Sequence, residues 1–279
     1  HEDTFNVYIM IHQTMYWRDM MNGCSVWTFH RGLLASSSAS RQSKAFARCK
    51  IYSSSDVRGS MHMADTMNVI ENSGVVACLR APSAELAYEA ASAALRGGIS
   101  ALEITMGTPG VFEVLTQLVL EYPHCALGIG TVLDAKDGKK AASLGARFIM
   151  SPATVPGITN DAVELLNIPG AMTPTEILSV YRSGAKMVKV YPVSALGGVK
   201  YISALKKSFP FIPLVASQGV SLESVGDYIS NGASAVVLSD AIFFKAALDR
   251  NDFDALSHRA SIACKIGKEA VTQRNNGLL

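Results

Sequence analysis

The sequence predicts an α/β fold, a parallel (β/α)8 barrel of the TIM type, and three observations predict it. After about Met61, short apolar runs alternate with longer amphipathic stretches, eight times over. Glycine closes several of the amphipathic stretches, at Gly98, Gly145, Gly184 and Gly232, and a small or apolar residue then leads into the next run. That is how a helix C-terminus needing positive φ reads in sequence. The first run is followed by Arg80-Ala81-Pro82-Ser83, not by the glycine-rich loop that an open dinucleotide-binding sheet usually carries there. Eight strand–helix units close naturally into a barrel, which takes about 250 residues as a single domain.

The elements follow in order. Between Met20 and Ser55 there is no Asp or Glu, yet Arg31, Arg41, Lys44, Arg48 and Lys50 fall there among crowded serines. Residues 1–60 are therefore expected to be a transit-peptide-like leader outside the fold. Without a continuous apolar stretch it resembles a plant chloroplast transit sequence more than a secretory signal, which points to the plastid stroma; the alternative is an ordinary disordered tail. The barrel domain then occupies residues 61–279. A leading helix around His62–Asn72 is expected to cover one end. The strands are expected at Val75–Leu79, Ala101–Thr105, Ala126–Gly130, Phe148–Met150, Ile168–Ala171, Met187–Tyr191, Pro213–Ala216 and Ala235–Leu238. Helices lie between them, among them Ala84–Arg96, Val111–Glu121, Thr175–Arg182 and Ser221–Ser230, and a trailing helix runs from Asp252 to Val271.

Composition narrows the function. Apolar residues make up 49% of the chain and aromatics 8%, enough for a large aliphatic core. A net charge of +2 gives no reason to invoke nucleic acid or an acidic membrane surface. No stretch approaches 18 uncharged apolar residues, so nothing reads as a transmembrane helix. Cys24, Cys49, Cys78, Cys125 and Cys264 show no paired spacing and read as reduced thiols, mostly small core hydrophobes.

Chemistry in such barrels sits where strands end and βα loops begin. Those positions hold Arg80, Glu103 with Thr105, Thr131, Ser151 with Pro152, Lys189, Ser217, and Ser239 with Asp240. None is a histidine or cysteine, which argues against a His-based metal site or a Ser-His-Asp triad. Lys189 interrupts the β-branched run Met187-Val188-Lys189-Val190-Tyr191, which Pro192 ends. A lysine buried there is either paired or partly neutral, and a partly neutral lysine forms a Schiff base with a ketone or aldehyde. The alternative is a structural lysine whose stem packs while its head snorkels to the rim. Glu103 alternates with Leu102 and Ile104, so it points into the barrel as Lys189 does. Two opposite charges in one interior make a poor stabilising device but a sound catalytic one. The lysine attacks a 2-keto group and the carboxylate moves protons during dehydration and C–C cleavage.

Leu102-Glu103-Ile104-Thr105, Gly128-Ile129-Gly130-Thr131-Val132, Ser151-Pro152, Val188-Lys189-Val190-Tyr191-Pro192 and Gly197-Gly198-Val199 stand in order between about Asn68 and Ala270. This set resembles the ordered motifs of the 2-keto-3-deoxy-6-phosphogluconate (KDPG)/4-hydroxy-2-oxoglutarate (KHG) aldolases. The resemblance implies a homotrimeric class I aldolase, a lyase that releases pyruvate from a small-molecule 2-keto acid. Lys189 would be the Schiff-base residue and Glu103 the general acid/base. Thr131 would bind the pyruvate carboxylate, Arg80 would sit at the substrate mouth, and Pro152 and Tyr191 would shape the pocket, with Ser217 and Ser239 also on the substrate. Such chemistry calls for no cofactor and no metal.

The chain departs from the pattern in two places. Gly107 stands where members of the family usually carry a carboxylate-binding arginine, and a bidentate contact is lost with it. Ser217-Gln218-Gly219 and Leu238-Ser239-Asp240 replace the glycine-rich phosphate cradle. Asp240 is expected to begin the last barrel helix, where its carboxylate would cap the helix and repel a phosphate. Phosphorylated and unphosphorylated keto acids, oxaloacetate among them, both stay open as substrates. So do two alternative functions: a catalytically weak barrel that only binds 2-keto acids, and a decarboxylase of oxaloacetate-like acids.

Overall fold

The computed structural model of the chain describes residues 62–163 and 165–277; the predicted leader and its destination signal lie outside the described residues. The element order is α1 (Met63–Ser73), β1 (Val75–Leu79), α2 (Ala84–Arg96), β2 (Ala101–Thr105), α3 (Val111–Glu121), β3 (Ala126–Gly130), α4 (Ala135–Ser143) and β4 (Phe148–Met150). It continues with α5 (Asn160–Val163), β5 (Leu166–Ile168), β6 (Gly170–Ala171), α6 (Pro174–Arg182), β7 (Val188–Val190), α7 (Val199–Ser208), β8 (Leu214–Ser217), α8 (Val225–Ser230), β9 (Ala235–Leu238), α9 (Lys245–Arg250) and α10 (Phe253–Asn275). Short 3-10 turns at Val193–Leu196 and Leu222–Ser224 follow β7 and β8.

All strand pairs are parallel, in the order β5-β4-β3-β2-β1-β9-β8-β7-β6. The expected fifth strand, Ile168–Ala171, is instead two short strands separated by Pro169. Proline has no N–H to give the ladder, so the chain changes partner there. β5 pairs with β4, β6 pairs with β7, and the Lys189 N–H donates to the Pro169 carbonyl at 2.9 Å. The interrupted strand thus closes the barrel and fixes the backbone of Lys189 in the same hydrogen bond. At Gly170 a Cβ would lie 2.5 Å from the Ala153 nitrogen, so only glycine lets the loop after β4 lie on this strand.

The strands obey the period-2 rule. Leu102 and Ile104 face the helices with Leu127 and Ile129, while Val76, Phe148, Met150, Leu166, Met187 and Val215 fill the barrel interior. One end of that interior is closed by α1, whose Ile70 is wholly buried among these side chains. The four glycines read as helix stops have positive φ, from 92° to 103°. The helix after β4 is a single turn, α5, where the alternation led to no particular expectation. Helix starts are capped locally: Ser83 accepts from the Leu86 N–H, and Thr173 and Glu176 form a reciprocal box around Pro174. The trailing helix extends past the expected Val271 to Asn275 and packs on α2 and α8.

Among the described residues, no helix is long and apolar enough to cross a membrane. Cys78, Cys125 and Cys264 are free thiols and half-buried rather than fully in the core; Cys24 and Cys49 lie outside the described residues.

Candidate active site

Parallel strands deliver all eight expected site residues to one end of the barrel. Glu103 is the third residue of β2 and Lys189 the middle of β7; both are buried, Glu103 to 1% exposure. Lys189 Nζ lies 3.6 Å from Glu103 Oε1 and 5.7 Å from the centre of the Tyr191 ring. No nitrogen or oxygen donor bonds either carboxylate oxygen of Glu103, and the buried hydroxyl of Thr105, two residues on, has no partner either. The ion pair is therefore longer than a hydrogen bond and open on the carboxylate side, which is unusual for a buried pair kept for stability.

Glycine makes room for this carboxylate. The register pairs Glu103 with Gly128 and Thr105 with Gly130, and the Glu103 side chain reaches up the barrel to lie on Gly130. A Cβ there would lie 2.7 Å from Glu103 Cδ and closer still to Oε2. Gly130→Ala is expected to displace the Glu103 carboxylate and to destabilise the fold by about 1–3 kcal/mol, the usual range for overpacking. The denaturation midpoint and catalytic turnover should both fall; an alanine variant matching its parent in both would refute the contact.

The remaining residues stand at strand ends. Thr131 follows β3 with φ of 60°, a left-handed backbone that a β-branched residue rarely adopts. Its neighbours are held on both sides: the Met106 N–H donates to Gly130 O at 2.9 Å, the Val132 N–H donates to Met150 O at 3.1 Å, and the Ser151 hydroxyl donates to Val132 O at 2.7 Å. Local strain of this sort clusters at functional sites. Pro152 follows β4, half-buried, and Tyr191, also half-buried, follows β7. Ser217 is the buried last residue of β8, and Ser239 follows β9. Arg80, exposed, follows β1 and turns toward the β2 loop: its Nη1 would lie 3.8 Å from a Cβ on Gly107.

Asp240 is a correction. It does not begin a helix: the Ile242 and Phe243 N–H groups both return to Ser239 O, a turn forms first, and α9 starts only at Lys245. Its exposed carboxylate caps nothing.

Sequence reading missed Cys78. It is the register partner of Glu103 on β1, on the interior face. Burial first, then the charge on Glu103 and a thiol hydrogen bond to its carboxylate, push its thiol well above the ordinary value, with Lys189 and Arg80 pulling the other way. It stands beside the pair as a neutral S–H. The alternation of Val76 and Cys78 across β1 carried the signal, but a scattered cysteine reads first as core.

A cavity of about 450 Å³ lies elsewhere, between the loop after β4 and α6, lined by Ile158, Asn167, Pro169, Thr175 and Ser179 among others. None of its lining residues is a candidate for the chemistry. The convergence of charged groups, not the volume, marks the site. No group of three or more metal-ligating side chains occurs among the described residues.

Comparison with known proteins decides the family. The family described as "Aldolase: KDPG and KHG aldolase" matches residues 66–258. The chain belongs to the KDPG and KHG aldolase family. Among curated members, the 2-dehydro-3-deoxy-phosphogluconate aldolase of Pseudomonas aeruginosa is 33% identical over 165 residues, covering 58% of this chain and 75% of that protein. The KHG/KDPG aldolase of Escherichia coli is 26% identical over 206 residues, covering 73% and 93%. Among solved structures, a KDPG aldolase from Legionella pneumophila, with pyruvate captured as a covalent carbinolamine intermediate, matches with a TM-score of 0.66. It is 24% identical and covers 71% of this chain and 97% of its own, a likeness that speaks for the fold. Membership makes this chain an enzyme of the aldolase class, a lyase.

Proposed function

We propose that this aldolase is a class I enzyme cleaving a 4-hydroxy-2-keto acid to pyruvate and an aldehyde, as a homotrimer in the plastid stroma. The observation that carries the chemistry is the buried Lys189–Glu103 pair, 3.6 Å apart, with neither carboxylate oxygen taken by an N–H or O–H donor. An open carboxylate beside a buried amine can take a proton from one substrate atom and return it to another.

Glu103 first takes a proton from the Lys189 ammonium, and the free amine attacks C2 of the keto acid, a proton passing from nitrogen to oxygen to give a neutral carbinolamine. Glu103 protonates its hydroxyl, which leaves as water, and an iminium remains. Glu103, now a carboxylate, takes the proton from the C4 hydroxyl. The C3–C4 bond breaks, its electron pair enters the iminium, and an aldehyde departs from the enamine. Protonation at C3 and hydrolysis return pyruvate and free Lys189. Thr131 holds the keto-acid carboxylate, with Arg80 at the mouth. Tyr191 and Pro152 wall the pocket, while Ser217 and Ser239 lie toward the departing half. The neutral Cys78 thiol adds no competing charge beside Glu103. The relatives' names, and the pyruvate adduct captured in the Legionella protein, support this reading.

The test is borohydride reduction in the presence of pyruvate, read by peptide mass. A reduced adduct on Lys189 is expected; absence of adduct at millimolar pyruvate would overturn the Schiff-base reading. A second reading, a keto-acid binder with little turnover, is favoured by Gly107, which offers no side chain to the carboxylate. It predicts the adduct without cleavage. Light scattering would read the trimer, and a fluorescent fusion of residues 1–60 the destination.

A further inference from the structure

Lys189 Nζ has two electrostatic neighbours of different kinds. One is the Glu103 carboxylate at 3.6 Å, and the other is the Tyr191 ring, whose centre lies 5.7 Å from the nitrogen. No other carboxylate pairs with Lys189 among the described residues. The place of the ring follows from the strand. The Tyr191 N–H donates to Ala171 O at 3.2 Å, as the Lys189 N–H does to Pro169 O at 2.9 Å, so the extended backbone continues past Val190. Tyr191 is two residues beyond Lys189, and period 2 turns both side chains to the interior, the ring one step nearer the mouth. The lysine is buried and the tyrosine half-buried, so little water screens the contact.

The two neighbours behave differently during turnover. Glu103 loses its charge whenever it holds a proton. The electron density over the ring face is fixed, and it attracts a cation within about 6 Å of the ring centre while leaving a neutral nitrogen almost unaffected. In the carbinolamine the nitrogen is neutral. On dehydration the C–O bond breaks with its electron pair on oxygen, which takes the Glu103 proton and leaves as water. The nitrogen lone pair becomes the second C–N bond, and positive charge appears on the nitrogen that Lys189 contributes. Carbinolamine and iminium are two states of one bound complex, so the resting ammonium does not enter the comparison.

Resting on the aldolase reading above, we infer that the Tyr191 ring is an electrostatic partner of the Schiff-base nitrogen and shifts bound keto acid from carbinolamine toward iminium. The property that acts is the electron density of the ring face. A residue that only walled the pocket would need bulk alone, which leucine also supplies.

The test varies that density at nearly constant shape. Tyr191→Phe is the reference, and the same position is filled with mono-, tri- and pentafluorinated phenylalanine, in which fluorine draws electrons from the face. Each full chain is saturated with pyruvate and given a brief pulse of excess borohydride. The yield of reduced adduct on Lys189, read by peptide mass, then reports the iminium present. The yield should fall stepwise with fluorination, by about threefold or more from phenylalanine to the pentafluorinated ring, the scale of one cation–π contact. Tyr191→Leu should fall at the low end of the series. Denaturation midpoints, measured alongside, should not follow the fluorine count. A flat series, or yields that track the denaturation midpoint, would reduce Tyr191 to a wall and overturn the inference while the Lys189 adduct persists. No adduct on Lys189 in the parent chain would overturn the aldolase reading and this inference with it.

Discussion

Lys189→Met is expected to lower kcat for aldol cleavage by at least about 10⁴-fold and to abolish the borohydride-trapped adduct. Covalent catalysis through an iminium has no substitute here, and a 10⁴-fold loss corresponds to about 5.5 kcal/mol of transition-state stabilisation. Methionine keeps most of the volume, so the packing of β7 against β6 and β8 should survive. The substitution nonetheless leaves Glu103 as a lone carboxylate at 1% exposure. Removing one member of a buried pair typically costs about 3–5 kcal/mol. The double variant Lys189→Met/Glu103→Gln should recover part of that stability and none of the activity. This contrast separates chemistry from folding. If Lys189→Met retained turnover within tenfold of the parent, the lysine would be structural.

Glu103→Gln is expected to reduce kcat by about 10²–10⁴-fold, the usual contribution of a positioned acid or base. Glutamine fits the space over Gly130 and can still accept a hydrogen bond, so KM should change much less than kcat. The Lys189 adduct should still form, more slowly, because dehydration of the carbinolamine loses its proton donor. A variant folded like the parent and active within threefold would remove Glu103 from the mechanism. A rise in KM alone, with kcat kept, would assign the carboxylate to binding.

Much of this architecture was legible in the residues. β1 to β4 and β9, with α2 and α3, lie where the alternation puts them, because each is specified within its own segment by apolar periodicity and a local stop. The fifth strand was legible only in part: a proline in an apolar run marks a break, but which neighbour each half joins depends on strands remote in sequence. Asp240 shows the same limit at a helix end. The Ser239 carbonyl captures two amides and delays the helix to Lys245, a competition between nearby hydrogen bonds that residue type does not decide. Cys78 was passed over because its importance comes entirely from being the register partner of Glu103.

Local alternation alone determined that Glu103 and Lys189 both face inward and that chemistry belongs at the ends of these strands, since side-chain direction in a strand follows from period 2. Only the tertiary structure decided that the two meet at 3.6 Å, that Gly130 opens the space for the carboxylate, and that Arg80 leans over Gly107. Those contacts join segments distant along the chain, and their register is set by barrel closure. Closure depends on all the strand pairs at once, which no single segment of sequence encodes.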